Sequence, residues 1–385
     1  MKIVADENIP LVNECFGDLG EIVRLPGRAM RQADLQGADV LLVRSVTEVN
    51  EQLLRDTPVR FVGTCTIGVD HLDTDYLDGS GIGWSSAPGC NANSVVEYVY
   101  AALAHLGADW VGKTVGIVGC GNVGGELYRR LRGQGVACRV YDPFLAPTQV
   151  ADLTSLEAVL ASDVVCLHTP LTRTGDFPSH HLIGAEQLRR LKPGAILLNA
   201  GRGPVIDNQA LLAHLDRGAD LRVVLDVWEP EPDISRPLLA KVALGTPHIA
   251  GYSYDGKMQG TFMIYEALCR HLGISQDKDL VSLKPPVADP QRALSAQALE
   301  EGGVWASIQA LIPQVYAIAE DDRRLRELAA RADKGAEAFG PGFDRLRKEY
   351  PRRREFSNYR VTGSEGAETS ERLQALGFQA LSIKG

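Results

Sequence analysis

The 385-residue sequence lacks the features that mark membrane, secreted and nucleic-acid-binding proteins. It has no apolar run near the ~20 residues of a membrane-spanning helix, and its opening, MKIVADENIP, fits a first strand better than a signal peptide. Acidic residues outnumber basic ones and give a net charge of −9, which argues against a general nucleic-acid surface. We therefore expect a cytoplasmic globular protein that has neither a membrane nor a nucleic acid as a partner.

Paired cysteines and metal-binding spacings are also missing. The seven cysteines are odd in number and none lies in a C-x-x-C pair, so a reducing compartment is favoured over a disulfide framework or zinc site. His180 and His181 are adjacent and lack the i, i+4 spacing that places two ligands on one helical face. The sequence predicts no metal site.

What the sequence does contain is a dinucleotide-binding pattern. The apolar run TVGIV is followed by GCGNVG and then by a helical pattern, which together fit strand, glycine-rich turn and helix. The predicted cofactor residues of this turn are Gly119, Gly121, Asn122, Val123 and Gly124. Asp142 follows a second strand, 18 residues after Gly124, where a carboxylate accepts hydrogen bonds from ribose hydroxyls and repels a 2′-phosphate. The pattern predicts a site that prefers NAD to NADP.

Strands and helices alternate along most of the chain, which predicts an α/β fold. We expect a Rossmann dinucleotide-binding domain at 94–252, in which Asn93 or Ser94 caps a helix over Val95–Leu106. A flavodoxin-like, discontinuous substrate domain would comprise 1–93 and 253–284. After the linker Leu283-Lys284-Pro285-Pro286, a C-terminal α+β domain at 285–385 would end in a strand over Gln379–Ile383 and serve dimerisation.

Three strand ends of the predicted Rossmann domain carry groups suited to acid–base chemistry. Arg202 lies in a glycine-rich loop, Glu231 lies between prolines, and His248 follows Thr246-Pro247. A guanidinium fork suits a carboxylate, and an imidazole beside a carboxylate suits proton transfer at neutral pH. Two strand ends of the first domain, at Arg44-Ser45 and at Thr66, are either substrate loops or simple turns.

In their order, these motifs resemble the D-2-hydroxyacid dehydrogenase family over roughly residues 1–280. The resemblance implies that Arg202 binds the substrate carboxylate and that His248 is the acid/base, paired with Glu231. A narrower likeness, to a branch acting on a phosphorylated four-carbon hydroxy acid in vitamin B6 biosynthesis, rests on APGCNA at 87–92, GTPHIAGY at 245–252 and the C-terminal FDRLRK and RREFS stretches.

That resemblance also implies contact residues. Substrate contacts fall on Ser45, Thr66 and Tyr252. NAD contacts fall on Asp142, Thr169, Ala200, Gly201, Arg202, Asp226 and Gly251. Apart from the resemblance, Arg44 with Ser45 is the local candidate for the phosphate end, because a phosphate needs a cation.

Three alternatives stay open at this point. The core motifs also fit 3-phosphoglycerate dehydrogenase or another D-2-hydroxyacid dehydrogenase, and a non-enzymatic NAD sensor keeps the same triad. The basic C-terminal run either binds the substrate phosphate or forms intrachain ion pairs; its members are Arg345, Arg347, Lys348, Arg352, Arg353 and Arg354. We predict a homodimer, because an appended domain without catalytic motifs is most simply an assembly module.

Overall fold

The computed structural model describes residues 1–363 and 367–380, which form two compact units. The first unit contains Met1–Ala92 and Tyr252–Pro286, and the second contains Asn93–Gly251 and the chain from Val287 onward. The domain limits expected from the sequence, with a separate domain at 285–385, stay a prediction.

The described strands are β1 (Lys2–Asp6), β2 (Glu21–Leu25), β3 (Val40–Val43), β4 (Phe61–Thr64), β5 (Gly83–Ser85), β6 (Thr114–Val118), β7 (Ala137–Tyr141), β8 (Val164–Leu167), β9 (Ala195–Asn199), β10 (Leu221–Leu225), β11 (Leu244–Gly245), β12 (Gln291–Ala293), β13 (Arg360–Thr362) and β14 (Gln379–Ala380). The predicted last strand is seen at Gln379–Ala380, while residues 381–383 lie outside the described part of the chain.

The described α-helices are α1 (Val12–Phe16), α2 (Glu51–Leu54), α3 (Thr74–Gly79), α4 (Ala92–His105), α5 (Asn122–Gly133), α6 (Leu156–Leu160), α7 (Ala185–Leu188), α8 (Asn208–Asp216), α9 (Arg236–Lys241), α10 (Tyr254–Leu272), α11 (Leu280–Leu283), α12 (Ala296–Val315), α13 (Ile318–Asp333), α14 (Phe339–Lys348) and α15 (Ala367–Leu376). Within residues 1–363 and 367–380, no helix combines the length and apolarity needed to cross a bilayer.

The first unit is built on a five-stranded parallel sheet in the order β2-β1-β3-β4-β5, which is the flavodoxin-like order. All four residues of β3 are buried, and alternate residues belong to different cores. Leu42 packs in the core that includes Tyr265 and Leu268 of α10, whereas Leu41 packs in the other. At Gly63 a Cβ would overlap Ile264 of α10, so glycine there permits the helix to lie against the sheet.

The second unit holds a six-stranded parallel sheet in the order β11-β10-β9-β8-β6-β7. Strands β8 and β9 are buried along their whole length, as expected of a parallel sheet covered on both faces. The order of connection reverses at β6, which pairs with β7 on one side and β8 on the other. Ligands bind at such switch points, outside the carboxyl ends of the strands.

The C-terminal region of the second unit has a three-stranded parallel sheet, β12-β13-β14, and several helices. Helices α13 and α14 contribute Leu325, Leu328 and Phe343 to the core that contains Trp228 and Leu238. The predicted fold class is therefore confirmed: parallel α/β sheets, one of them a Rossmann sheet, with an α+β C-terminal region. The dimerisation role of that region stays a prediction.

Candidate active site

The glycine-rich turn lies between β6 and α5, at the switch point of the second sheet. Gly119 has φ +84°, in the region that favours glycine, and a Cβ at Gly124 would overlap the Gly119 carbonyl oxygen. A Cβ at Gly121 would meet no atom within 4 Å, so the turn is open there, just before the first residue of α5. Open backbone at a helix N-terminus is what a pyrophosphate requires.

Asp142 follows β7 and holds the same turn. Its Oδ2 accepts a hydrogen bond of 2.8 Å from the Cys120 N–H, and its Oδ1 accepts one of 3.0 Å from the Phe144 N–H. These bonds fix the carboxylate beside the turn at the position expected for ribose recognition.

Two further groups beside the turn have buried polar atoms without protein partners among the described residues. These atoms are Oγ1 of Thr169 and both ring nitrogens of His168. The Thr169 side chain lies where a Cβ of Gly119 would be, within 2.7 Å. Burial lowers the pKa of His168 to about 4, so its ring is neutral and suits lining better than proton transfer. Unpaired buried polar atoms next to the turn fit a cofactor that supplies the missing partners.

The structure brings Glu231 and His248 together. His248 Nδ1 lies 2.8 Å from Glu231 Oε2, and Glu231 Oε1 accepts a 2.9 Å hydrogen bond from the Trp228 N–H. Burial alone would raise the pKa of Glu231, but the hydrogen bond and charge of His248, with the Trp228 N–H, hold that pKa below its ordinary value. The pair leaves Nε2 as the imidazole nitrogen available to a substrate.

Asp226, at the end of β10, organises the loop that carries His248. It is buried and accepts hydrogen bonds from Thr246 Oγ1 at 2.7 Å, from the Ile249 N–H at 2.7 Å and from the Ala250 N–H at 2.9 Å. Its own carbonyl oxygen accepts from the His248 N–H at 2.7 Å. Burial raises the pKa of Asp226 despite these donors. The predicted contact of Asp226 and Gly251 with NAD stays a prediction; what is seen is that Asp226 holds the histidine loop.

Arg202 follows β9, in a loop that Asn199 fastens. The Asn199 side chain donates to the Arg202 carbonyl at 3.0 Å and accepts from the Gly201 N–H at 3.1 Å, while Arg202 Nη1 donates to the Gly201 carbonyl at 2.9 Å. Among the residues that the structure describes, the Arg202 guanidinium forms no ion pair. A Cβ at Gly203 would overlap the Trp228 carbonyl oxygen, so the Arg202 loop and the loop leading to Glu231 touch at a glycine. Arg202, Ala200 and Gly201 thus lie at the carboxyl end of the strand next to β10.

The candidate substrate residues of the first unit lie at strand ends and at the start of α10. Arg44 and Ser45 follow β3, and Thr66 follows β4, the neighbouring strand. The Thr66 hydroxyl lies 2.7 Å from Thr64 Oγ1, which in turn lies 2.9 Å from Nε2 of the buried His71. Tyr252 lies under Lys257, whose Nζ is 4.8 Å from the ring centroid. The structure shows the hydrogen-bonded position of Thr66; the substrate roles of all four stay predictions.

The basic C-terminal run is largely engaged within the chain. The guanidinium of Arg345 pairs with Glu337, that of Arg347 lies 3.8 Å from Asp344, and that of Arg354 donates to Asn358 at 2.8 Å. These contacts favour the intrachain alternative over a phosphate site.

Arg353, like Arg354, is buried. It donates to Ser94 Oγ at 2.5 Å and to the Ala250 carbonyl at 3.1 Å, lies 3.5 Å from Glu97 Oε2, and stacks 4.1 Å from the Tyr316 ring centroid. These bonds favour the intrachain alternative for Arg353, and a part for this residue in phosphate binding stays a prediction. Sequence patterns could not show these bonds, because the partners Ser94, Glu97 and Ala250 lie more than 100 residues away along the chain.

The comparisons with known proteins agree with this geometry. Residues 93–250 match the family model described as "D-isomer specific 2-hydroxyacid dehydrogenase, NAD binding domain", and residues 290–377 match a "Domain of unknown function (DUF3410)". The chain is 62% identical over 382 residues to an erythronate-4-phosphate dehydrogenase from Cellvibrio japonicus (strain Ueda107), covering 99% of this chain and 100% of that protein.

Solved structures show the same fold. A D-lactate dehydrogenase from Treponema pallidum superposes with a TM-score of 0.60 at 25% identity, covering 72% of this chain and 98% of that one. A D-lactate dehydrogenase from Aquifex aeolicus, complexed with NAD and lactic acid, superposes with a TM-score of 0.56 at 23% identity, covering 71% of this chain and 96% of that one.

Proposed function

This chain belongs to the erythronate-4-phosphate dehydrogenase family, and we propose that it oxidises 4-phospho-D-erythronate with NAD as the acceptor. The product is 2-oxo-3-hydroxy-4-phosphobutanoate, and the step serves the biosynthesis of pyridoxine 5′-phosphate (vitamin B6). The observation that carries the proposal is the hydrogen-bonded Glu231–His248 pair at the carboxyl edge of an NAD-binding sheet.

His248 is the base for the hydroxyl on carbon 2. Glu231 binds Nδ1 and thereby fixes the tautomer, so that Nε2 takes the proton as the alcohol becomes a ketone. The ionised Glu231 then stabilises the imidazolium that forms. NAD, when bound, accepts the hydride, and that part of the chemistry belongs to the cofactor.

Arg202 binds and orients the substrate carboxylate. Its guanidinium offers two parallel donors to the two carboxylate oxygens. The hydrogen bonds of the Asn199 side chain to Gly201 and Arg202 limit the motion of the loop that carries the guanidinium. We assign substrate contacts to Ser45, Thr66 and Tyr252 and the phosphate end to Arg44, because a dianionic phosphate needs a cation.

The test is steady-state turnover of the full chain, followed as NADH formation, with a reagent that traps the 2-oxo product. We expect kcat/KM for 4-phospho-D-erythronate to exceed that for 3-phospho-D-glycerate by at least ~10-fold, because the shorter acid leaves one hydroxyl contact unmade. An equal or higher value with 3-phospho-D-glycerate would refute the substrate assignment. NAD binding without turnover of either acid would refute the assignment as an enzyme and support the alternative of an NAD sensor.

We further propose that the protein is a cytoplasmic homodimer. The cysteines form no disulfide with one another in the described part of the chain, as is usual for a protein of a reducing compartment. Light scattering on the full chain should give twice the mass of one chain, independent of concentration in the micromolar range. Deleting the C-terminal region is not a clean test, because it would expose the core that Phe343 and Leu325 complete. A single-chain mass at all concentrations would contradict the dimer.

A further inference from the structure

We propose that His180, His181 and Glu229 form a binding site for a divalent transition metal, Zn²⁺ being the best match. One ligand atom from each residue lies within 4.8 Å of the other two. His181 Nε2 is 2.9 Å from Glu229 Oε2, and His180 Nε2 is 3.9 Å from Glu229 Oε1. None of these residues takes part in the dehydrogenase chemistry assigned above.

The backbone explains how two adjacent histidines reach one carboxylate. Neighbouring side chains of an extended segment point in opposite directions. His181 instead has φ +53°, a left-handed conformation that a non-glycine residue seldom adopts. The two imidazole rings consequently stack face to face, with ring centroids 3.9 Å apart and an angle of 22° between the ring planes.

Hydrogen bonds hold this conformation from both sides. The His180 N–H donates to the Thr172 carbonyl at 3.0 Å, and the His181 N–H donates to the Pro204 carbonyl at 2.8 Å. The Ile183 N–H then donates to the Val205 carbonyl at 3.0 Å. The histidines are therefore presented by an anchored segment, and little ordering remains for a metal to impose.

The donor set is chemically suited to zinc. Two imidazole nitrogens and one carboxylate oxygen are a combination that binds Zn²⁺ with the fourth position left to water. At metal–ligand distances of about 2.0–2.2 Å, tetrahedral ligand atoms are roughly 3.3 Å apart. Glu229 Oε1 lies 3.0 Å from His181 Nε2 and 3.9 Å from His180 Nε2, one distance below that value and one above it. Asp207 Oδ2 lies 4.0 Å from His181 Nδ1, on the ring nitrogen opposite the ligand atom. At 4.0 Å this is a charge contact and not a hydrogen bond; carboxylates that do accept from that nitrogen orient metal-binding histidines.

A bound metal would tie two loops together. His180 and His181 precede α7, whereas Glu229 lies in the loop that runs from Trp228 to Glu231. Because the metal binds the assembled site and not the unfolded chain to the same degree, it should raise the melting temperature.

The experiment is titration of the chelator-treated full chain with Zn²⁺ by calorimetry and with Co²⁺ by absorption spectroscopy. We expect one Zn²⁺ per chain, a Co²⁺ spectrum with the intense visible bands of a four-coordinate ion, and a higher melting temperature with Zn²⁺. His180→Ala and Glu229→Gln should each weaken Zn²⁺ binding at least ~10-fold. His105→Ala, an exposed histidine at the end of α4, is the matched control and should bind as the parent does.

His180→Ala guards against loss of folding, since it removes the 3.9 Å contact with Glu229 and the stacking on His181 but leaves the short His181–Glu229 contact in place, whereas Glu229→Gln alters that short contact. Circular dichroism should show His180→Ala folded. Unchanged Zn²⁺ affinity in folded His180→Ala would overturn the site. Loss of binding in His248→Asn, with His180→Ala unaffected, would overturn it equally by placing the metal at the catalytic pair.

Discussion

At His248 a left-handed backbone, φ +57°, and a 2.8 Å bond to Glu231 hold one ring orientation. We predict that His248→Asn lowers kcat by ~10²–10⁴, the span usual for loss of a general base. Glu231→Gln should cost less, because the amide oxygen still accepts a hydrogen bond from Nδ1. NAD affinity, measured by fluorescence titration, should be unchanged in both. Full turnover in His248→Asn would remove this residue from the mechanism.

Asp142 is predicted to set the preference for NAD over NADP, and it also accepts a hydrogen bond from the glycine-rich turn. An informative substitution must remove its charge but keep that hydrogen bond. Asp142→Asn removes the charge but keeps an oxygen that can accept from the Cys120 N–H. We predict that kcat/KM with NADP rises relative to that with NAD, because the repulsion of the 2′-phosphate is lost. Asp152→Asn, at a carboxylate that accepts from Tyr128 and lies away from the glycine-rich turn, is the control. An unaltered NAD-to-NADP ratio in Asp142→Asn would contradict the role.

The sequence predicted those side chains whose chemistry depends on nearby residues along the chain. The glycines of the turn and the histidine after Thr246-Pro247 belong to short patterns, and the glycines at 119 and 124 occupy positions where a side chain is strained or overlaps the backbone. The hydrogen bonds of Asp226 to the loop of His248, and the contact of His180 with Glu229, form only when the chain folds. No helical spacing rule could indicate the contact of His180 with Glu229, because the left-handed backbone of His181 produces it.

At the scale of elements, the predicted start of helix α4 was wrong. The sequence predicts a helix that is capped by Asn93 or Ser94 and begins at Val95, but the helix begins at Ala92. Their side chains make other bonds: Asn93 donates to Glu97 at 3.0 Å and to Glu355 at 2.6 Å, and Ser94 donates to the Ala250 carbonyl at 2.7 Å. The sequence marks both residues as polar, but it could not indicate the bonds to Glu355 and Ala250, which lie more than 150 residues away along the chain.

Arg353 of the C-terminal region forms hydrogen bonds with Ser94 of α4 and with the Ala250 carbonyl in the loop that carries His248. We predict that Arg353→Lys lowers the free energy of unfolding by roughly 1–3 kcal/mol, because lysine keeps the charge but cannot make the same set of bonds. It should also lower kcat more than it raises the Kd for NAD, since the Ala250 carbonyl lies two residues after His248. Urea unfolding and steady-state kinetics measure the two effects. Arg352→Lys, at the exposed neighbouring position, should change neither, and an unaltered unfolding midpoint in Arg353→Lys would contradict the stabilising role of these bonds.

The stability of the whole molecule should depend on pH through Asp321. Burial raises the pKa of this carboxyl from 3.8 to about 6, so the folded state favours its neutral form. The associated stability is complete below about pH 4 and is lost as pH rises through about 6, by up to roughly 3 kcal/mol. Asp321→Asn cannot ionise and keeps an acceptor for the Tyr350 hydroxyl. We predict that this variant gains stability relative to the parent between pH 4 and pH 8.

Denaturant unfolding at several pH values measures this difference. Asp333→Asn, an exposed carboxylate on the same helix, is the control and should follow the parent curve. Parallel curves for Asp321→Asn and the parent would contradict the predicted linkage.

The bond from Ser94 to the Ala250 carbonyl joins the two places where the chain crosses between the units. The two ends of the segment Asn93–Gly251 therefore lie next to each other, and Arg353 donates a hydrogen bond to the same Ala250 carbonyl. A segment with adjoining ends can be inserted into another fold, or have its termini moved, without a bridging linker. The chain therefore has the layout of one segment inserted into the sequence of the first unit.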